Sequence, residues 1–434
     1  MAYPFLDNFQ LLENNDAGIP DDELAAAIEK AAVSIKNSIA SHNKTARLLL
    51  VVPDFSRFYS NAGRIANLFY HSLNRWCRVD ILVALGTHVA MTEMECELMY
   101  GDIPFSCFTM HNWRFGTIPV GQIPGSYVSQ ASEGLLEDPI EVEINRMLMD
   151  GYDLIISIGQ VVPHEVAGMA SHAKNILVGC GGASMINSSH IVGAFYGLER
   201  IMGRDHTPVR DLFDYAMENF LSNLPICYTL TVATAPGGAI ITHGLFIGQS
   251  RSVFEEAVAL AQKKNITFID KPFSKAVVYL EEQEYKSTWI GNKSIYRSRM
   301  AIARGGELII LAGGVDKFGE DPVIDSLIRK YGYVGREQVI ALCRENQDLR
   351  DNLSAAAHLI HGSNDGYFTT TYCTSRLSKE EIEAAHFHYA PYSEMAETYN
   401  PKQLSDGYNT LPNGETIYFI SNPSLGLWVE KSRF

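Results

Sequence analysis

The sequence predicts an α/β protein of two domains built on mainly parallel sheets, and three observations carry that expectation. Short, strongly apolar runs alternate with amphipathic helical stretches, which is the rhythm of βαβ units. Polar turns follow directly on several apolar runs, where open parallel sheets gather their ligands. The chain has 434 residues, 46% hydrophobic and 20% charged, enough to bury two ordinary cores.

Taken in order, Pro20-Asp21-Asp22-Glu23 is a helix start with acids in the first turn, and Leu24, Ile28, Ala31, Ile35 and Ile39 form the apolar stripe of that helix. The runs Arg47 to Val52 and Val79 to Leu85 read as parallel strands joined by a helix from Asn61 to Trp76. Their following turns, Asp54-Phe-Ser-Arg57 and Gly86-Thr-His88, carry polar groups that a purely structural connection does not need. Asn112 to Gly134, rich in Gly, Ser and Pro, reads as a long excursion before a helix from Pro139 to Met149. A buried strand from Leu154 to Gly159 then opens into a glycine-rich stretch holding His164, Lys174 and His190.

Further on, Tyr228 to Thr234 and Ala239 to Ile247 flank Ala-Pro-Gly-Gly, a hairpin signal, and a helix from Val253 to Lys264 follows. The domain boundary is expected between Asn265 and Pro272, dividing the chain into 1–268 and 269–434. The second half repeats the rhythm with a strand at Ala276 to Leu280, a helix at Ser294 to Ala303 and a strand at Glu307 to Gly313. A last strand, Thr416 to Ile420, is compatible with either sheet.

A net charge of −15 argues against nucleic acid and anionic membranes as partners, since both require a basic face. No apolar run is long enough to span a bilayer, and the N-terminal residues lack the basic flank and apolar stretch of a signal peptide, so a cytoplasmic location is expected. Seven scattered cysteines without a Cys-x-x-Cys pair read as reduced, mostly buried thiols. The sheets should be Rossmann-like in outline, yet neither a Gly-x-Gly-x-x-Gly nor a Gly-Lys-Ser/Thr loop is present, which disfavours a plain nicotinamide dehydrogenase or NTPase. Gly179-Cys-Gly-Gly182 is only a weak phosphate-loop signal, and a tight turn is the favoured reading.

The set Asp54, Arg57, His88, His164, Lys174 and His190 brings together proton shuttles, a cation, an amine and an imidazole suited to a metal. On residue chemistry alone, one reading is a metal-dependent hydrolase with His88, His164 and His190 as ligands, although no His-x-x-x-His or His-x-His pair anchors them and Lys174 would be idle. In spacing, however, the motifs Asp54-x-x-Arg57, Gly86-Thr-His88, Pro163-His164, Lys174 ten residues later and His190 sixteen beyond it resemble the lactate racemase family, from about Asp54 to Phe318. Ser56 stands where the family has Thr.

The resemblance implies a racemase or epimerase that inverts C2 of a 2-hydroxy acid, with its site in the cleft between the domains. It implies a nickel-pincer nucleotide linked covalently to Lys174, with His190 as the protein ligand of nickel, and hence a need for cofactor-synthesis enzymes. His88 and His164 would be the two bases, one for each enantiomer, and Arg57 the carboxylate clamp. A second substrate cation falls on Lys293, with Lys317 as another candidate. The family's glutamine corresponds to Ile290, and Trp289 and Asn292 stand nearby, so the expected substrate is larger than lactate, for instance a sugar acid or a longer or aromatic 2-hydroxy acid. A non-catalytic cofactor-binding protein is the remaining alternative; the oligomeric state has no sequence signal.

Overall fold

The structure is a computed structural model that describes residues 12–13, 17–39, 46–134, 136–424 and 426–434. The N-terminal residues on which the signal-peptide expectation rests lie outside them. The chain divides into two compact units: 1–189 with 203–265, and 190–202 with 266–434. The long-range division at 265/266 falls three residues before the expected 268/269, and 190–202 groups with the second unit.

In unit 1, strands Ile226–Thr234, Leu154–Gln160, Arg47–Pro53, Arg78–Ala84 and Phe108–Met110 lie side by side and all parallel. Ile241–Gly248 folds back antiparallel on Ile226–Thr234 as the expected hairpin, and Leu12–Glu13 pairs outside it. Every residue of Leu154–Gln160 is buried, because a central parallel strand is covered on both faces. One face carries the predicted helices, Asp21–Ile39 and Ala62–Leu73, which pack Ile28, Ile35, Ile65 and Phe69 against Leu48, Leu50, Val52, Ile81, Leu154, Ile156 and Ile158.

The expected helix at 139–149 is instead the strand Ile140–Asn145 followed by a single 3-10 turn, Arg146–Met149. Ile140, Val142 and Ile144 are buried while Glu141 and Glu143 alternate with them, a period of two that a helix cannot satisfy. Its antiparallel partner, Thr117–Ile123, lies inside the stretch expected to be an irregular excursion, which also holds the helix Gly125–Ala131.

Unit 2 is a six-stranded sheet in the order His388–Pro391, Phe368–Thr374, Ile302–Leu311, Phe273–Tyr279, Thr416–Ile420, Gly407–Thr410, parallel except for the last strand. The 416–420 strand thus joins this sheet. The helix expected at 294–303 ends at Ser298, and the strand begins at Ile302, earlier than expected. Gly305, at φ +73°, and Gly306 allow the strand to run on through an irregular register where neither residue offers a side chain to the helix face. Among the described residues, no helix is long and apolar enough to cross a membrane, and all seven cysteines are free, six of them buried.

Candidate active site

Three neighbouring strands of unit 1, Leu154–Gln160, Arg47–Pro53 and Arg78–Ala84, run parallel, so their carboxyl ends lie at one edge of the sheet. Asp54 and Arg57 follow the middle strand, His88 follows Ala84, and His164 and Lys174 follow Gln160.

Asp54 caps the 3-10 helix Phe55–Ser60, accepting from Ser56 N at 3.0 Å and Ser56 Oγ at 2.5 Å. Ser56, which stands where the resembled family has Thr, keeps a hydroxyl that also donates to Asp54. The other carboxylate oxygen lies 2.5 Å from His88 Nδ1. Burial alone would raise the Asp54 carboxyl. The charge and hydrogen bond of His88, the Ser56 hydroxyl and the charge of Arg57 outweigh it and hold the group at about 2, ionised. An ionised Asp54 makes His88 Nδ1 the protonated nitrogen and leaves the lone pair on Nε2.

His164 is set differently. It is buried, and its Nδ1 accepts from Val166 N at 3.1 Å, so in the neutral ring the proton resides on Nε2. Glu165 lies 3.7 Å from the same Nδ1, but that nitrogen has no proton to give while the Val166 amide occupies it. The two histidines therefore present opposite tautomers.

Lys174 is reached through unusual backbone. Ser171 and His172 both have left-handed φ, +71° and +58°, and a five-residue π-helical turn, Asn175–Gly179, follows the lysine. Strain of this kind persists only where the surroundings over-determine it. Here Arg210, itself fully buried, donates to the Met169 carbonyl at 2.6 Å and reaches the Ser171 carbonyl at 3.5 Å. His172 packs between Tyr228 and Phe254, with ring centroids at 3.9 and 5.0 Å, and Asn175 N returns to the His172 carbonyl. Beyond the turn, Gly86 N donates to the Gly179 carbonyl at 2.9 Å, joining the His88 loop to the Lys174 segment. His111, kept neutral by burial, donates from Nε2 to the Gly181 carbonyl at 2.9 Å.

Burial, followed by the positive charge of Arg57, lowers the Lys174 amine from 10.5 to about 8; Arg210 adds to this, while Glu165 and Asp54 pull the other way. Among the described residues, neither Lys174 Nζ nor the Arg57 guanidinium makes a hydrogen bond or ion pair, and His88 Nε2 accepts none. Three strand ends thus present a neutral-prone amine, a planar cation and an imidazole lone pair that the protein itself leaves unspent.

Of the other candidates, His190 lies within the helix Ala183–Tyr196, past the point where unit 2 begins. Lys293, also in unit 2, opens the helix Lys293–Ser298 and its Nζ lies 3.4 Å from Ser424 Oγ. Ser424 in turn donates to Glu284 at 2.9 Å. Lys317 is drawn to Glu320 at 3.6 Å. Trp289 stacks on His358 at 4.2 Å, and His358 Nε2 lies 3.0 Å from Tyr333 Oη. The Gly179–Gly182 segment is a packed turn: a Cβ at Gly181 would come 1.8 Å from the Leu177 carbonyl oxygen.

Sequence reasoning missed Arg210, His172, Glu165 and His358. Arg210 alone left a usable signal, a charged residue on the apolar stripe of a helix marked by Thr207-Pro208.

Residues 7–199 match the family described as Lactate racemase N-terminal domain. No protein of curated function matches the chain. The fold is similar to that of a protein from Thermotoga maritima, at TM-score 0.81 and 23% identity over 96% of this chain and 99% of that one. It is also similar to the lactate racemase apoprotein from Thermoanaerobacterium thermosaccharolyticum, at TM-score 0.68 and 16% identity over 98% and 95% of the two chains. Asp54, Arg57, His88, His164 and Lys174 all fall inside the matched segment, and that segment belongs to the lactate racemase N-terminal domain family.

Proposed function

We propose that the protein is a racemase or epimerase that inverts C2 of a 2-hydroxy acid larger than lactate, a sugar acid being the first class to test. The observation that carries the reading is the set of unspent groups, His88 Nε2, the Arg57 guanidinium and Lys174 Nζ, on three adjacent strand ends.

The donor chemistry fits a lysine-linked nickel-pincer nucleotide. An amine lowered to about 8 is neutral often enough near physiological pH to form a covalent link, so Lys174 would hold the group. His190 would supply an imidazole to nickel, a donor suited to that metal. When bound, the cofactor supplies a reversible hydride acceptor, and its synthesis requires separate maturation enzymes.

The protein's own work is positioning and proton handling. Arg57, with its fork uncommitted, takes the substrate carboxylate bidentately. His88 removes the hydroxyl proton at Nε2, while Asp54 stabilises the imidazolium that results. His164 serves the opposite enantiomer; to accept a proton it must release the Val166 amide, because that bond keeps Nε2 protonated. Lys293 is the second substrate cation. Ile290 offers no side-chain hydrogen bond where the family has glutamine, and the Trp289–His358 pair favours a substrate with more surface than lactate.

The test is made on protein produced with the maturation enzymes and nickel. Peptide mapping should find a nucleotide-sized mass on Lys174, and a substrate deuterated at C2 should invert with its label retained. An unmodified Lys174, or label lost to solvent during inversion, would overturn the hydride-transfer reading.

A further inference from the structure

Unit 2 contains a polar cavity, about 440 Å³ in volume, lined by Arg299, Arg304, Arg336 and Arg433 together with Glu199, Glu337 and Asp365. It lies where Ile302–Leu311 and Phe368–Thr374 begin, whereas Ser424, the neighbour of Lys293, follows the carboxyl end of Thr416–Ile420 in the same parallel array. The cavity is therefore separate from the substrate cation assigned above.

Its charges are not evenly spent. Arg299, only 3% exposed, takes Glu199 at 2.8 Å and Asp365 at 2.7 Å. The other Asp365 oxygen accepts the Arg336 backbone N–H at 2.8 Å. Glu199 and Asp365 are thus both turned to Arg299, and the three groups together carry a charge of −1. Arg336 and Arg433 are anchored only through backbone carbonyls, Arg336 on Phe195 and Arg433 on Arg299 and Ile302 at 3.2 and 3.4 Å. Arg304 is exposed and rests over the Tyr367 ring at 4.5 Å. Among the described residues none of these three has a carboxylate partner, and Arg336 Nε is buried without any acceptor. With Glu337 included, four lining arginines face three carboxylates, a local excess of positive charge in a chain whose net charge is −15.

Arginines held by backbone carbonyls, as Arg336 and Arg433 are, keep several guanidinium N–H groups pointing elsewhere, and with Arg304 from a third segment they can surround a tetrahedral anion more fully than a planar carboxylate. The volume is that of a site for a small organic ligand. We propose that this cavity is a binding site for a phosphorylated small molecule of sugar-phosphate size, with Arg336 and Arg433 as its principal ligands and Arg304 closing on the phosphate. The assignment does not depend on the function proposed for unit 1.

The experiment is a calorimetric titration of the full-length chain with glucose 6-phosphate, and with inorganic phosphate, glucose and succinate as comparison probes. Saturable binding of the two phosphates is expected, weakened about tenfold or more in Arg336→Gln and in Arg433→Gln and unchanged in Lys174→Met. Arg336→Lys, which keeps the charge without the fork, should be intermediate, and thermal melts of each variant establish that it is folded. The assignment is overturned if neither phosphate saturates below about 10 mM, if succinate binds equally well, or if the folded arginine variants bind as the parent does.

Discussion

Lys174 should destabilise the apoprotein, and removing its charge should show by how much. Its folded value of about 8 lies below the ordinary 10.5, so the folded chain binds fewer protons than the unfolded chain between those two pH values. Stability therefore rises with pH across that window, and the full penalty is present below it. At about 1.4 kcal/mol per unit, the difference corresponds to about 3 kcal/mol. The amine makes no hydrogen bond or ion pair among the described residues, so Lys174→Met forfeits no such contact while keeping the aliphatic stem. The variant should be more stable than the parent by about 2 to 3 kcal/mol at pH 7, with the gap narrowing towards pH 10. Urea unfolding followed by hydrogen–deuterium exchange of the Leu154–Gln160 strand reads this in unit 1. A variant no more stable than the parent at pH 7, or a gap independent of pH, would refute the reasoning.

Asp54→Asn should lower kcat by about 100-fold or more with little change in KM, because His88 loses the carboxylate that sets its tautomer; unchanged kcat would remove Asp54 from the proton path. The same pair bears on acid stability. With Asp54 depressed from 3.8 to about 2, its contribution is present above about pH 4 and lost as pH falls towards 2, so parent and Asp54→Asn melting curves should converge over that range. Arg57→Lys should raise KM for the 2-hydroxy acid about tenfold or more, since an ammonium cannot reproduce the fork; steady-state kinetics of the loaded enzyme would contradict this by showing parental KM. Gly181→Ala should cost about 2 to 4 kcal/mol, because its methyl group meets the Leu177 carbonyl oxygen inside the Lys174 turn. A parental melting temperature would show that the turn yields more easily than its packing suggests.

Much of unit 1 was legible along the chain. The helix at Asp21, the parallel strands at Arg47, Arg78 and Leu154, and the 226–248 hairpin each carry a local signature: a helical stripe, an unbroken apolar run, or a Pro-Gly-Gly turn. The failures came where two periods compete over a short span. At Ile140–Asn145 the alternation of Ile, Val and Glu covers only six residues, and near Ser294 the helix stops after six. Whether Thr416–Ile420 joined the first sheet or the second was settled by pairing with Phe273–Tyr279, a contact between segments more than a hundred residues apart.

The sequence by itself determined the residue types and spacing of the candidate site, because motif order and strand-end placement are properties of the chain. It could name His88, His164 and Lys174. It could not say that Asp54 holds His88 with the lone pair on Nε2, that the Val166 amide sets the opposite tautomer in His164, or that burial lowers the Lys174 amine to about 8. Nor could it gather Arg304, Arg336 and Arg433 around one cavity. Those are effects of distance and solvent exclusion, and both arise only once segments remote in sequence close around each other and remove water from between their charges.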